Sequence, residues 1–157
     1  MVYTYISASL ADTERLAREL ASVLAPGSLI TLEGELAAGK TAFSQAFARA
    51  IGVTEIVNSP TFTIIKEYEA AHYPFYHMDV YRITLEEAAE LGLEDYYYGA
   101  GITLIEWASR IAELLPLERL DVDIQRTNED IRKFHIQPHG SYYDDICKQL
   151  AERGVWE

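Results

Sequence analysis

The chain has 157 residues and an apolar fraction of 49%, enough to bury one core and ordinary for a soluble globular domain spanning 1–157. Its 13 basic against 25 acidic residues give a net charge of −12, a surface that repels nucleic-acid phosphates over most of its area. Any service to RNA metabolism is therefore expected to run through protein partners, although the same acidity equally well just keeps a small protein in solution. No run approaches the ~20 apolar residues of a membrane span. The start Met1-Val2-Tyr3-Thr4-Tyr5 lacks the basic and apolar regions of a secretion signal, and the single Cys147 excludes an internal disulfide. A cytoplasmic setting is expected.

Residues 2–6 read as a short strand. Ser9 or Asp12 can cap a helix to about Ala25, with Leu16, Leu20, Val23 and Leu24 on one face and Pro26-Gly27 as its stop. The apolar run Leu29, Ile30, Leu32 reads as a buried strand, and directly after it stands Gly34-Glu35-Leu36-Ala37-Ala38-Gly39-Lys40-Thr41. This is a complete G-x-x-x-x-G-K-[ST] phosphate-binding loop. Its glycines let successive N–H groups turn inward toward phosphate oxygens. Lys40 supplies a point charge for the β- and γ-phosphates, and the Thr41 hydroxyl can ligate Mg²⁺. The helix that follows, with Ala42, Phe43, Ala46, Phe47, Ala50 and Ile51 at helical spacing before Gly52, adds its positive end at the same spot. Strand before and helix after are the context this motif needs. A nucleoside-triphosphate site follows, with residues 34–42 as its cradle.

Beyond it come the turn Asn58-Ser59-Pro60-Thr61 and a strand over 62–68, rich in β-branched and aromatic residues. A turn over 70–74 leads to a strand over 75–83. Thr84 and Glu87 form a capping box opening a helix to about Leu91. Residues 102–105 make an apolar strand, 107–115 a helix stopped by Pro116, 120–125 and 131–137 a hairpin, and 142–153 a last helix. The alternation predicts an α/β, single-domain P-loop NTPase fold, with a central mixed, largely parallel sheet flanked by helices.

A P-loop needs a second acidic element to hold the metal and aim the nucleophile. Glu106 ends the strand 102–105, and ligands of open α/β sheets bind beyond the carboxyl ends of strands. A strand-end acid can also merely cap the next helix. Asp79, in His77-Met78-Asp79-Val80-Tyr81-Arg82, is a lone acid among apolar and aromatic neighbours. Read from the residues, it divides evenly between catalysis and a structural pairing with Arg82 or with backbone donors. Ser59-Pro60-Thr61 follows the P-loop helix where many such proteins place a γ-phosphate-sensing switch, with Thr61 offering a hydroxyl; it is also a common turn.

Taken together, the blocks Leu32-Glu33-Gly34-Glu35-Leu36-Ala37-Ala38-Gly39-Lys40-Thr41, Ser59-Pro60-Thr61-Phe62, His77-Met78-Asp79-Val80-Tyr81-Arg82 and Ile105-Glu106-Trp107 make the chain resemble the TsaE family. These are small bacterial P-loop ATPases of tRNA threonylcarbamoyladenosine (t6A) biosynthesis. The resemblance runs from the region of Thr13 to about Gln137. It implies that Lys40 and Thr41 bind ATP and Mg²⁺, and that Glu106 is the metal-associated acid. It further implies that Asp79 is functional near the metal or the γ-phosphate, that Thr61 lies in a switch-like segment, and that Trp107 belongs to the nucleotide site; periodicity alone makes Trp107 a core residue. Implied partners are the t6A-synthesis proteins of the TsaB and TsaD families, with tRNA reached indirectly, while self-association stays open. The family usually has Asp at Glu35, Gly at Ala37, and Pro at Ala108. Ala37 narrows the freedom of the loop slightly, and none of the three removes a reactive group.

Several other residues carry less. His135 and His139 have no third ligand nearby for zinc, and Cys147 reads as an inert, half-buried thiol. Arg132, entering the last strand, can stack on an adenine, though exposed arginines at strand starts are common. Tyr68, Tyr73, Tyr76 and Tyr96-Tyr97-Tyr98 suit protein interfaces and half-buried sheet surfaces alike. Three functional classes follow: an ATPase acting on a protein assembly, a small P-loop kinase of a metabolite or nucleoside, and a nucleotide-gated switch with negligible hydrolysis. A kinase lid clamps phosphates with several arginines, whereas Arg82, Arg110 and Arg119 are scattered.

Overall fold

In the computed structural model, which describes residues 1–35 and 38–156, one seven-stranded mixed sheet collects all the strands. They are β1 (Tyr3–Ser7), β2 (Leu29–Glu33), β3 (Ile65–Glu69), β4 (Pro74–Asp79), β5 (Ile102–Glu106), β6 (Arg119–Arg126) and β7 (Arg132–His139). Their order across the sheet is β1-β7-β6-β2-β5-β4-β3. The four central strands β6, β2, β5 and β4 run parallel, while β7 and β1 on one flank and β3 on the other pair antiparallel. The α/β sheet flanked by helices is therefore as expected, with its parallel part confined to the centre.

The central strands are apolar on both faces because both are covered. Ile30 and Leu32 of β2 and Ile102 and Leu104 of β5 pack with Leu16, Leu20, Phe43, Phe47, Ile146 and Leu150. These come from helices α1 (Leu10–Val23), α2 (Lys40–Ala50) and α5 (Ser141–Glu152). The alternate residues Leu29, Met78 and Ile105 pack on the opposite face. There they meet α3 (Leu85–Ala89), α4 (Leu93–Tyr97) and a 3-10 segment (Ala108–Leu114). Fully burying a side chain such as Phe43 or Phe47 is worth ~1.5–3 kcal/mol. Among the described residues no helix is long and apolar enough to cross a membrane.

Local signals act as expected in several places. Ser9 caps α1 by accepting the Asp12 N–H, and Thr84 with Glu87 forms the expected capping box of α3. Three expectations need correction. The strand expected over 62–68 starts at Ile65, because Ile64 lies at φ 69 and its N–H reaches back 2.7 Å to the Pro60 carbonyl. This turn closes on β4 through the Asp79 N–H and the Ile64 carbonyl, 2.8 Å. Strand β4 stops at Asp79 rather than Ile83, since the Asp79 carboxylate takes the Tyr81 N–H and turns the chain. The helix expected from Trp107 begins one residue later as a 3-10 segment, Trp107 being left-handed at φ 62. The short helix α4 went unexpected; Leu93 and Tyr97, four apart and both buried, are its signal.

Candidate functional site

Side chains alternate across a sheet, so the faces of the central strands decide what meets at their ends. Phe75 of β4 and Leu104 of β5 both face α2, and so do the residues two and four further on, His77, Asp79 and Glu106. Leu32 of β2 pairs with Glu106, and Glu106 with Asp79. One row across three parallel strands thus ends in two neighbouring carboxylates, at the end of the sheet where β2 passes into the loop before α2. Both are buried, Asp79 at 4% and Glu106 at 2% exposure.

That loop is shaped by its glycines. A Cβ on Gly34 would stand 2.8 Å from the Ile124 carbonyl oxygen of β6, and Gly39, the N-cap of α2, lies at φ 111. Lys40 opens α2, is 7% exposed, and donates its ammonium to the Gly34 carbonyl. The same ammonium sits 3.5 Å from the centroid of the Trp107 ring. Burial lowers the Lys40 pKa, while Glu106, Glu33 and Asp79 act to hold it up. Glu33 itself is pushed up by burial and restrained by the Ser109 N–H that it accepts at 2.6 Å.

A cleft of about 690 Å³ brings together Glu35, Gly39, Lys40, Thr41, Thr61, Asp79, Glu106 and Trp107. Gly34 acts from behind through its carbonyl, and Ala38 is buried in the core. Ala42 lines a neighbouring hollow of about 330 Å³ with Gly39, Phe134 and Arg132. Leu36 and Ala37 lie outside the described residues. Asp79 takes the backbone option among its two candidate partners: Oδ1 accepts the Tyr81 N–H at 2.9 Å and Oδ2 the Thr61 hydroxyl at 3.4 Å. Thr61 in turn meets Ser59 at 2.8 Å.

Of Arg82, Arg110 and Arg119, Arg82 alone lines the cleft. Arg82 lines the cleft with its guanidinium 4.6 Å from the Phe62 ring, and Arg110 lies 5.0 Å from the ring of Tyr81, another lining residue. Only Arg119 stands apart, on Asp121. Tyr81 also packs on Trp107 at 4.8 Å, joining the two motif blocks. His77, inside a quoted block but without an assigned task, bonds Glu106 at 2.6 Å. Spacing alone hides that pairing, which needs the register of β4 on β5. His139, one of the two histidines singled out in the sequence, sits on Asp121, Nε2 to Oδ2 at 2.7 Å.

Among the described residues the cleft thus offers the cations of Lys40 and Arg82, a hydroxyl at a helix start and two adjacent buried carboxylates. Oxygen donors of this sort suit Mg²⁺, which binds through one or two protein groups, substrate phosphates and its own water. Comparison with known proteins agrees with the blocks read in the sequence. The family model for "Threonylcarbamoyl adenosine biosynthesis protein TsaE" matches residues 7–134. The tRNA threonylcarbamoyladenosine biosynthesis protein TsaE of Bacillus subtilis is 47% identical over 140 residues, 89% of this chain and 88% of that protein. The protein of the same name from Nostoc is 38% identical over 144 residues, 87% of this chain and 88% of the relative. The crystal structure of YdiB from Bacillus subtilis superposes with a TM-score of 0.86 at 40% identity, covering 98% of this chain and 97% of that one. A P-loop leading into α2, the Asp79 and Glu106 row and this match over most of its length make the chain a member of the TsaE family of t6A biosynthesis proteins.

Proposed function

We propose that the chain is a Mg²⁺-dependent ATPase whose turnover acts on the protein assembly that forms t6A on tRNA. The observation that carries this reading is the row Leu32, Glu106, Asp79, which sets two carboxylates beside the P-loop lysine on one face of the sheet. Residues 34–42 hold the triphosphate, with the start of α2 facing it, and Lys40 moves from Trp107 and the Gly34 carbonyl onto phosphate oxygens. Thr41 and Glu106 would hold Mg²⁺, and the ion would supply neutralisation of the phosphate charge. Asp79 accepts a hydrogen bond from the attacking water and aims it at the γ-phosphate. Thr61, hydrogen-bonded to Asp79, reports the γ-phosphate to the exposed segment that carries Phe62. Arg132, whose Nε is 3.7 Å from a Cβ position on Gly39, stacks on the base in the hollow beside Ala42.

Before nucleotide binds, Trp107 packs over the lysine and helps to cover it. A chain of net charge −12 approaches tRNA through partner proteins of the TsaB and TsaD families rather than by its own surface. ATP hydrolysis measured alone and with those partners tests the reading, with stimulation expected and its absence fatal. Arg82 at the cleft favours a second reading, a small kinase, because arginines clamp transferring phosphates. Phosphate release that persists unchanged with candidate hydroxyl acceptors present, with no phosphorylated product, excludes it.

A further inference from the structure

His77 and Glu106 face each other inside the protein, with side chains 1% and 3% exposed and Nε2 to Oε2 at 2.6 Å. His77 pairs with Leu104 in the register of β4 on β5, so Glu106 is its diagonal neighbour, two residues further along. The Glu106 side chain therefore turns back along the sheet to meet the imidazole. A carboxylate oxygen accepts, so in this pairing the imidazole donates from Nε2, and Nδ1 is the ring nitrogen that points away from Glu106. Among the described residues that Nδ1 is buried and without a partner. The ring lies stacked on Phe75, 5.8 Å between centroids. A position walled by Phe75 and by the buried Leu104 would hold an aliphatic side chain with no orphaned polar atom, so packing alone gives no account of the histidine.

We propose that His77 is a positioning residue for Glu106: it fixes Oε2 and leaves Oε1 as the oxygen that faces the cleft. This rests on the hydrolytic reading above, in which Glu106 works through its carboxylate. Metal-site carboxylates need such partners, since an acid free to rotate spends only part of its time in the productive orientation. The task is hydrogen-bond donation from one nitrogen, which a glutamine amide can reproduce and a leucine cannot.

Three measurements test it on the full chain with its partner proteins. His77→Leu is expected to lower kcat by about tenfold to a hundredfold, the usual cost of losing such a partner, while nucleotide affinity by titration changes less than about threefold. His77→Gln is expected to recover most of the rate, and His77→Leu added to Glu106→Gln to cost nothing beyond Glu106→Gln alone. Independently of turnover, ¹⁵N–¹H correlation spectra should show His77 protonated at Nε2, with its resonance displaced in Glu106→Gln. A folded His77→Leu protein with normal turnover overturns the proposal, as do additive losses in the double variant or an Nε2 that carries no proton. If the unsubstituted protein hydrolyses no ATP, the function reading falls instead, and the spectra alone decide whether His77 holds Glu106.

Discussion

The ammonium of Lys40 rests 3.5 Å from the centre of the Trp107 ring, so the charge proposed to bind phosphate is held on an indole face. A desolvated cation–π contact of this kind is worth ~2 kcal/mol or more. Phosphate oxygens compete for the same ammonium and offer full negative charge. Nucleotide binding is therefore expected to strip the cation from Trp107 and change its emission. The chain has two tryptophans, so a Trp156→Phe background isolates the signal. ATP should shift that emission, and the shift should vanish with Lys40→Ala, whose affinity is expected to drop about tenfold to a hundredfold or more. Unaltered ATP affinity of folded Lys40→Ala in calorimetric titration would show that the site is elsewhere.

Gly34 is held by geometry rather than by flexibility. A Cβ there would sit 2.8 Å from the Ile124 carbonyl oxygen and 3.2 Å from the Ala38 Cβ, and neither neighbour is the far end of a flexible chain. Gly34→Ala is expected to destabilise the fold by ~1–3 kcal/mol and to displace the carbonyl that receives Lys40. Chemical denaturation and nucleotide titration on the same variant check both effects; wild-type behaviour in both would refute the close approach.

Burial pushes the Cys147 thiol up to about 12, with Asp144 adding to the effect. An unfolded thiol titrates near ~8.5. The folded form keeps its proton where the unfolded form has lost it, so this group's contribution to stability is whole below pH ~8.5 and declines as the pH rises above it. The folded protein should resist Ellman's reagent at pH 8 and react after unfolding in guanidinium. Cys147→Ala should flatten the fall in melting temperature above that pH; the same slope in both proteins would place the alkaline loss in other groups.

Much of the candidate site was legible because the motifs that suggest it are local. Gly34, Gly39, Lys40 and Thr41 declare a phosphate loop by spacing, and Glu106 declares itself by ending an apolar strand. What stayed hidden was set by long-range register. Nothing in the order of residues says that β5 lies between β2 and β4, yet that order puts Asp79 beside Glu106 and His77 within reach of it. The place of Arg82 at the cleft, over the Phe62 ring, is likewise set by tertiary contacts. Strand propensity misled at Ile64, where the tertiary turn onto Asp79 imposes a positive φ on a β-branched residue.

Asp79 gives the sharpest test of the proposed chemistry. From sequence it had two structural alternatives, an ion pair with Arg82 or backbone capping. Among the described residues no such ion pair forms: Arg82 lies on Phe62, and Asp79 Oδ1 instead accepts the Tyr81 N–H at 2.9 Å. An asparagine keeps an amide oxygen for that bond while losing the negative charge. Asp79→Asn should therefore preserve the turn at residues 79–81 and shift the melting temperature little. With the water-orienting role proposed above, its partner-stimulated hydrolysis should fall by ~10²–10³-fold with nucleotide affinity largely kept. Asp79→Ala removes cap and charge together, and should lose stability as well as rate. Glu106→Gln provides the parallel, sparing affinity more than turnover because its charge counts most as charge moves in the transition state. Melting temperature and stimulated hydrolysis measured on each variant separate the roles. If Asp79→Asn melts early while its folded fraction hydrolyses at the normal rate, Asp79 is a cap and the water must be aimed by another group.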